Sequence, residues 1–449
     1  MIELLWETLT LSTYNTRLVV LGAALLGAAS GLIGSFLLLR KQSLLGDALS
    51  HATLPGIALA FAVLSAFGLP GRNLPALLTG AAVTGALGVL LVLAIRRTTR
   101  LKDDAAMGIV LSVFFGLGVV LLRMVQEIPG QSSAGLESFI YGKTASMVRT
   151  DLYLIIGILS ITVAVCLLLR KELTLLCFDD AYANSQGFSA TGLDILLMGL
   201  VTAVTVVGLQ AVGLILVIAF LIIPATAARF WTHRLPVMLV LATLLGTLSG
   251  WLGASLSALY AGLPSGAIIV LTAAFFFLVS LFFGTARGML PRYLRYRALQ
   301  RKVGRQHLLR STFEILEEQQ EKAYPLRNTA ITMDELRAHR YWSKGELGQL
   351  IRQGRREDHL DPQPRGAIRL SESGFGEAAR ITRNHRLWEL YLIRHADIAP
   401  NHVDRDADMV EHLLGPEVVM QLEEELGMNH REPVVASPHE ILPENPPAS

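Results

Sequence analysis

The sequence predicts an all-α protein that crosses a membrane eight or nine times and then continues as a soluble domain. Three observations predict it. Of the 449 residues, 52% are hydrophobic and 17% charged, with a mean hydropathy of +0.47; a soluble protein would carry about 25% charged residues. Charge is also unevenly placed: residues 1–287 hold 16 Lys/Arg and 12 Asp/Glu, residues 288–449 hold 23 and 25, and nine of the eleven histidines fall in the later stretch. Finally, nine apolar segments approach the ~20 residues that span hydrocarbon: 18–39, 48–68, 75–95, 106–122, 151–169, 193–208, 211–228, 236–258 and 265–284. The sixth and seventh are short and adjacent, which leaves the count at eight or nine.

The N-terminal stretch MIELLWETLTLSTYNTRLVV is acidic, and no small-residue cleavage site follows a short apolar run, so it reads as a retained first helix rather than a signal peptide. Lys/Arg in the short loops set orientation. Eleven fall on one set of alternate loops (Arg40 and Lys41, Arg96 to Lys102, Arg170 and Lys171, Arg229 and Arg234, then Arg287) and five on the other (Arg17, Arg72, Arg123, Lys143, Arg149). The expectation is an N-terminus outside, a C-terminus in the cytoplasm and an odd number of spans. Small residues crowd the segments (GAALLGAASGLIG, GAAVTGALG), as expected where membrane helices pack backbone to backbone. Cys166 and Cys177 form no CxxC, so neither a disulfide framework nor a thiolate zinc site is indicated. No GxxxxGK[ST] occurs, so the chain does not cradle ATP phosphates by that route.

The second segment raises a question of chemistry. It reads GDALSHATLPGIALAF from Gly46 to Phe61, with Asp47 and His51 at i, i+4 on one helix face. An ionisable residue inside a span is a functional-site hypothesis by default, and carboxylate with imidazole suits zinc, manganese or iron. Pro55 and Gly56 follow, a helix breaker expected to free carbonyls toward a pathway. The residues alone leave a second reading, because Asp47 lies only about 9 Å beyond Lys41: it caps its helix or pairs with an arginine near the membrane face. The loop stretch Phe178–Gly187 likewise has two readings. It is an amphipathic surface for docking another protein, or a connecting turn with Asp179 and Asp180 as helix caps.

From Pro291 the character changes. RYLRYRALQRKVGRQHLLR predicts a basic linker helix, 288–306, anchored by the positive-inside rule. Residues 431–449 are proline-rich and expected to be disordered. Between them, His385 and Glu389 form one i, i+4 pair, and Asp408, Glu411 and His412 lie at i, i+3, i+4. These are either metal-ligand clusters or solvated salt-bridging faces.

Two resemblances sharpen these readings. RKQSLLGDALSHATLPGIALAF (40–61), ELTLLCFDDAYANSQGFSATGLDILL (172–197) and LQAVGLILVIAFLIIPATAARFWTHRLP (209–236) resemble, in order, three segments of the zinc/manganese/iron-type permeases of ABC importers, over about residues 15–285. The resemblance implies a permease domain, 1–287, that dimerises with a like or sister subunit around a central path. It further implies a separate cytoplasmic ATPase that docks on the loop carrying Phe178, Asp179, Asp180, Ala181, Asn184 and Gly187, and an extracytoplasmic metal-binding protein. Asp47 and His51 would line the ion path, and no catalytic residue is expected in this chain.

The stretch NHRLWELYLIRHADIAPNHVDRDADMVEHLLGPEVVMQLEEEL (384–426) resembles the metal-binding and dimerisation region of diphtheria-toxin-repressor-like iron and manganese regulators, assigned here to 381–430. By motif position His385 and Glu389 match one ligand group and Asp408, Glu411 and His412 another, with His307 at the first-helix ligand. Aspartate at 408, a hard ligand, leans toward Mn²⁺ over Fe²⁺ or Zn²⁺. That family's second histidine position is Asp404 here, and His402 is two residues off register. Residues 331–379 look like a winged helix, within a domain expected at 307–380. MDELRAHR would be the first helix of a helix-turn-helix, SKGELGQLIRQG the recognition helix, and 358–370 the wing. Gly345 and Gly348 suit a recognition helix poorly. Lys344, Arg352, Arg355 and Arg356 are the candidate DNA contacts. The tail is thus expected to sense metal and regulate transport; the alternative is a metal-dependent repressor, tethered or released by proteolysis.

Overall fold

The computed structural model describes residues 14–69, 73–127, 147–259, 263–319, 329–395 and 416–426. The chain divides into two compact units, Met1–Arg292 and Tyr293–Ser449.

The regular elements described in the first unit are all helices. Its elements are α1 (Tyr14–Leu39), α2 (Leu45–Ala66), α3 (Leu74–Thr98), α4 (Asp103–Gln126), α5 (Arg149–Leu168), α6 (Arg170–Phe178), α7 (Asp180–Ser185), α8 (Ala190–Val212), α9 (Leu214–Arg229), α10 (Leu235–Leu259) and α11 (Ser265–Phe283). Among the described residues eight helices are long and apolar enough to cross a membrane, and α9, at 16 residues, is a shorter apolar helix. The paired short segments expected at 193–208 and 211–228 become α8 and α9, separated by Gly213 alone. Its φ of 88° lies in the left-handed region that favours glycine. The chain bends sharply there, since Val217 packs against Gly208.

α1 is the most enclosed span and α11 the least. The small residues of α1 explain its place. A Cβ on Gly27 would lie 2.2 Å from the carbonyl oxygen of Gly246 in α10, and one on Gly34 would lie 1.9 Å from that of Leu221 in α9. Only hydrogen at these positions lets the backbones approach this closely, which is how membrane helices gain dispersion contacts where lipid removes the hydrophobic incentive. The core around α1 joins Leu26, Ile33, Phe36, Leu49, Met198, Val217 and Phe220.

Contrary to the expected break, α2 runs unbroken through Pro55. The proline ring lies near Gly118 of α4, where a Cβ would come within 3.2 Å of Pro55 Cδ. Proline brings no N–H, so the carbonyl of His51, four residues earlier, loses its usual helical donor.

α12 (Met289–Glu318) contains the expected linker. The second unit continues with α13 (Met333–His339), α14 (Lys344–Arg356), β1 (Leu360–Pro362), β2 (Ile368–Leu370), α15 (Glu372–His395) and α16 (Pro416–Leu426). β1 and β2 are an antiparallel hairpin with Leu360 opposite Leu370, and Ile331 bridges to Ile368 as a third, single-residue strand. Four helices, α12 to α15, and this small sheet enclose Leu309, Phe313, Leu336, Leu347, Ile351 and Ile368, a winged-helix arrangement. Thr332 and Glu335 form a capping box at the start of α13, and Ser343 caps α14. The turn between them holds Trp342 buried in this core, whereas Tyr341 is 97% exposed. A helix-turn-helix turn usually carries a small residue; here the indole becomes part of the core.

Candidate functional site

Asp47 sits in the first turn of α2, where its carboxylate also complements the positive end of the helix dipole. His51, one turn on, brings Nε2 to 3.3 Å from Asp47 Oδ1. Two donors each about 2.1 Å from a metal ion and this far apart subtend about 100° at the ion, close to tetrahedral. The ring of His51 lies edge-on to Phe115 of α4 at 4.8 Å, and its buried Nδ1 has no hydrogen-bond partner among the described residues. The cation partner offered by the alternative reading is absent: among the described residues Asp47 pairs with His51 and with no arginine.

Arg40, the arginine nearest before Asp47 in the sequence, is engaged elsewhere. It donates to the carbonyl of Leu176 (2.8 Å), to Asp180 and to Asp194 (3.0 Å). Asp194 also accepts from Arg96, which bridges to Asp103 at 2.9 Å. This network joins the ends of α1, α3, α4, α7 and α8. Sequence reasoning counted Arg40 and Arg96 only as orientation charges and passed over Asp194. The signal was present, because Asp194 is a lone acid at the edge of an apolar segment.

On the loop, Phe178, Asp179, Asp180, Ala181, Asn184 and Gly187 are all exposed. Asp179 caps α7 by accepting from the Tyr182 N–H at 2.8 Å. Asn184 accepts from the Ala190 N–H at 3.0 Å, and Gly187 takes a φ of 86°. Of the two expected caps, Asp179 is one and Asp180 is an ion-pair partner. Gln210 donates to Asp151 at 2.5 Å, bonding α8 to α5.

In the second unit, His385 and Glu389 are buried on α15, with Nε2 and Oε1 3.2 Å apart. Arg310 of α12 lies 2.7 Å from His385 Nδ1. A guanidinium only donates, so Nδ1 accepts and Nε2 carries the proton that faces Glu389. The donor chemistry fits a divalent cation: carboxylate and imidazole are buried together and already hold a cationic group. A metal ion at either nitrogen requires Arg310 to move. Arg310 also contacts Glu314 at 3.1 Å, and Glu314 in turn contacts His339 of α13 at 3.2 Å. Burial pushes the Glu314 carboxyl up, but the bond from His339 and the charge of Arg310 outweigh it and hold it below its ordinary value. The same bond raises His339.

Asp408, Glu411 and His412, with His402 and Asp404, lie outside the described residues. His307 accepts from Arg340 at 3.4 Å, and among the described residues no three His, Cys, Asp or Glu side chains converge as a metal site. Lys344, Arg352, Arg355 and Arg356 are exposed along α14, and among the described residues none has an ion-pair partner.

Comparison with known proteins finds a match to the ABC 3 transport family over residues 12–284, and to the iron dependent repressor, metal binding and dimerisation domain over 371–437. A manganese transport system membrane protein of Bacillus subtilis is 37% identical over 406 residues, 90% of each chain. A zinc transport system membrane protein of Treponema pallidum is 44% identical over 286 residues, 64% of this chain and 94% of its own. A solved structure of PsaBC from Streptococcus pneumoniae in complex with Fab aligns with a TM-score of 0.56 at 32% identity, over 66% of this chain and 100% of that one.

Proposed function

The chain belongs to the ABC 3 transport family, and on that premise we propose that it is the membrane permease of an ATP-driven importer of divalent transition metal ions, Mn²⁺ foremost, with a metal-sensing domain at its C-terminal end. The observation that carries the reading is the Asp47–His51 pair, held 3.3 Å apart inside a span and paired with no arginine among the described residues. Two donors bind an ion weakly enough to release it, as conduction requires. A second permease subunit, like or sister, presenting the same pair would complete four donors on a shared path. The relatives named for manganese and zinc support this cargo class; the hard carboxylate of Asp408 favours Mn²⁺ over Zn²⁺ and Fe²⁺.

ATP hydrolysis belongs to a separate cytoplasmic subunit docking on Phe178 to Gly187, because the sequence has no phosphate-binding loop. An extracytoplasmic binding protein delivers the ion. The Lys/Arg distribution supports an N-terminus outside and a tail in the cytoplasm. There His385 and Glu389, with Asp408, Glu411, His412 and His307, would report internal metal and restrain uptake. The four exposed cations of α14 favour a second role for the tail, operator DNA binding.

The test is uptake of Mn²⁺, Zn²⁺ and Fe²⁺ into proteoliposomes holding the permease, its ATPase and its binding protein. ATP-dependent uptake led by Mn²⁺ is expected. Uptake that proceeds without ATP, driven by an ion gradient, would replace this reading with secondary transport. Failure of the full-length chain in lipid nanodiscs to retard promoter DNA with Mn²⁺ present would remove the DNA role.

A further inference from the structure

The turn between α1 and α2 lies between the docking loop and the ion pair, and it is unusual in three ways. Its first residue, Arg40, is partly buried and grips the start of the loop region, through Leu176 and Asp180, as well as Asp194 beyond it. Its second, Lys41, has a φ of 58°, a left-handed backbone that a non-glycine side chain rarely adopts. Its third, Gln42, is 2% exposed, yet neither its amide oxygen nor its amide nitrogen has a hydrogen-bond partner among the described residues. A buried amide without partners is costly.

The turn is also built into the start of α2. The Leu45 N–H bonds to the Gln42 carbonyl at 2.9 Å, and Leu44 offers no side-chain cap. Any rotation of the turn is therefore handed to the first turn of α2, which carries Asp47. We propose that Arg40–Gln42 is the element through which the docking loop acts on Asp47. Arg40 is the grip on the loop, and Gln42 is a positioning residue whose amide finds its partner in the alternate state of the permease. The proposal rests on the permease reading above and deepens it.

The experiment uses the complete complex in proteoliposomes, with ATP hydrolysis and Mn²⁺ uptake read from the same vesicles. Arg40→Gln should retain the ATPase but raise the ATP spent per ion by at least about tenfold, the effect of losing even one of its charge-assisted bonds. Gln42→Leu keeps the size and removes the orphaned amide. It should raise the thermal midpoint of the idle complex and slow uptake, the opposite of what damage to a static support would do. An unchanged ATP-to-ion ratio in Arg40→Gln, or Gln42→Leu uptake equal to the parent, would overturn the proposal. Absence of ATP-driven uptake in the unaltered complex would instead strike the permease reading itself.

Discussion

Replacing Asp47 by asparagine tests the ion path most directly. The change keeps shape and hydrogen-bonding capacity but removes one negative charge 3.3 Å from His51 Nε2. Two positive charges attract one negative charge at 4 Å by roughly 8 kcal/mol at an effective dielectric near 20. If shedding the ion's hydration cancels three quarters of that, about 2 kcal/mol remains, or about 30-fold in occupancy of the pair. Initial Mn²⁺ uptake below saturation should therefore fall by at least tenfold, measured against the amount of protein in the membrane. Stability should change little, since the carboxylate is partly exposed and meets no arginine among the described residues. Uptake within twofold of the parent, at equal protein, would refute the argument and return Asp47 to the role of a helix-start charge.

Four further outcomes follow from the geometry. In the second unit, His339 is raised by its bond to Glu314 and contributes fully below its ordinary value of 6.5, a contribution lost as pH rises through its elevated folded value. Glu314 is lowered and contributes above its ordinary value of 4.5, losing this as pH falls through its depressed folded value. The protection factor of the α13 amides in the full chain, with the intrinsic pH dependence of exchange divided out, should thus be highest between these limits, and His339→Ala should flatten the profile. Gly246→Ala would place a Cβ 2.1 Å from the Gly27 carbonyl oxygen and cost about 1–3 kcal/mol, seen as less folded protein in the membrane, while Gly157→Ala, with nothing near, should be silent. Trp342→Ala should cost the second unit about 3–5 kcal/mol by chemical denaturation, against almost nothing for the exposed Tyr341→Ala. In a chain already lacking Asp47 and His51, Arg310→Gln should tighten Mn²⁺ binding by calorimetry at least about tenfold, because a cation no longer fills the place beside His385; weaker binding would show that Arg310 supports the pair instead.

The sequence by itself determined the division into an apolar helical part and a charged tail, the spacing that puts Asp47 over His51 and His385 over Glu389, and the turn chemistry of Thr332, Ser343 and Asp179. All of these are local: helical periodicity places i and i+4 on one face, and a capping side chain reaches only its own next turn. What pairs with what was decided by the tertiary structure. Arg40 and Arg96 looked like orientation charges until folding carried Asp180 and Asp194, 140 and 154 residues beyond Arg40, into contact with them. Arg310, 75 residues before His385, looked like one more basic residue of a linker helix, yet it fills the position beside the imidazole. Pro55 read as a break, but α2 stays helical through it with the ring near Gly118, and one carbonyl loses its usual helical donor. Charge is strong over a few ångströms and blind to sequence distance, so a chain shows which residues are ionic while only its fold decides whom they meet.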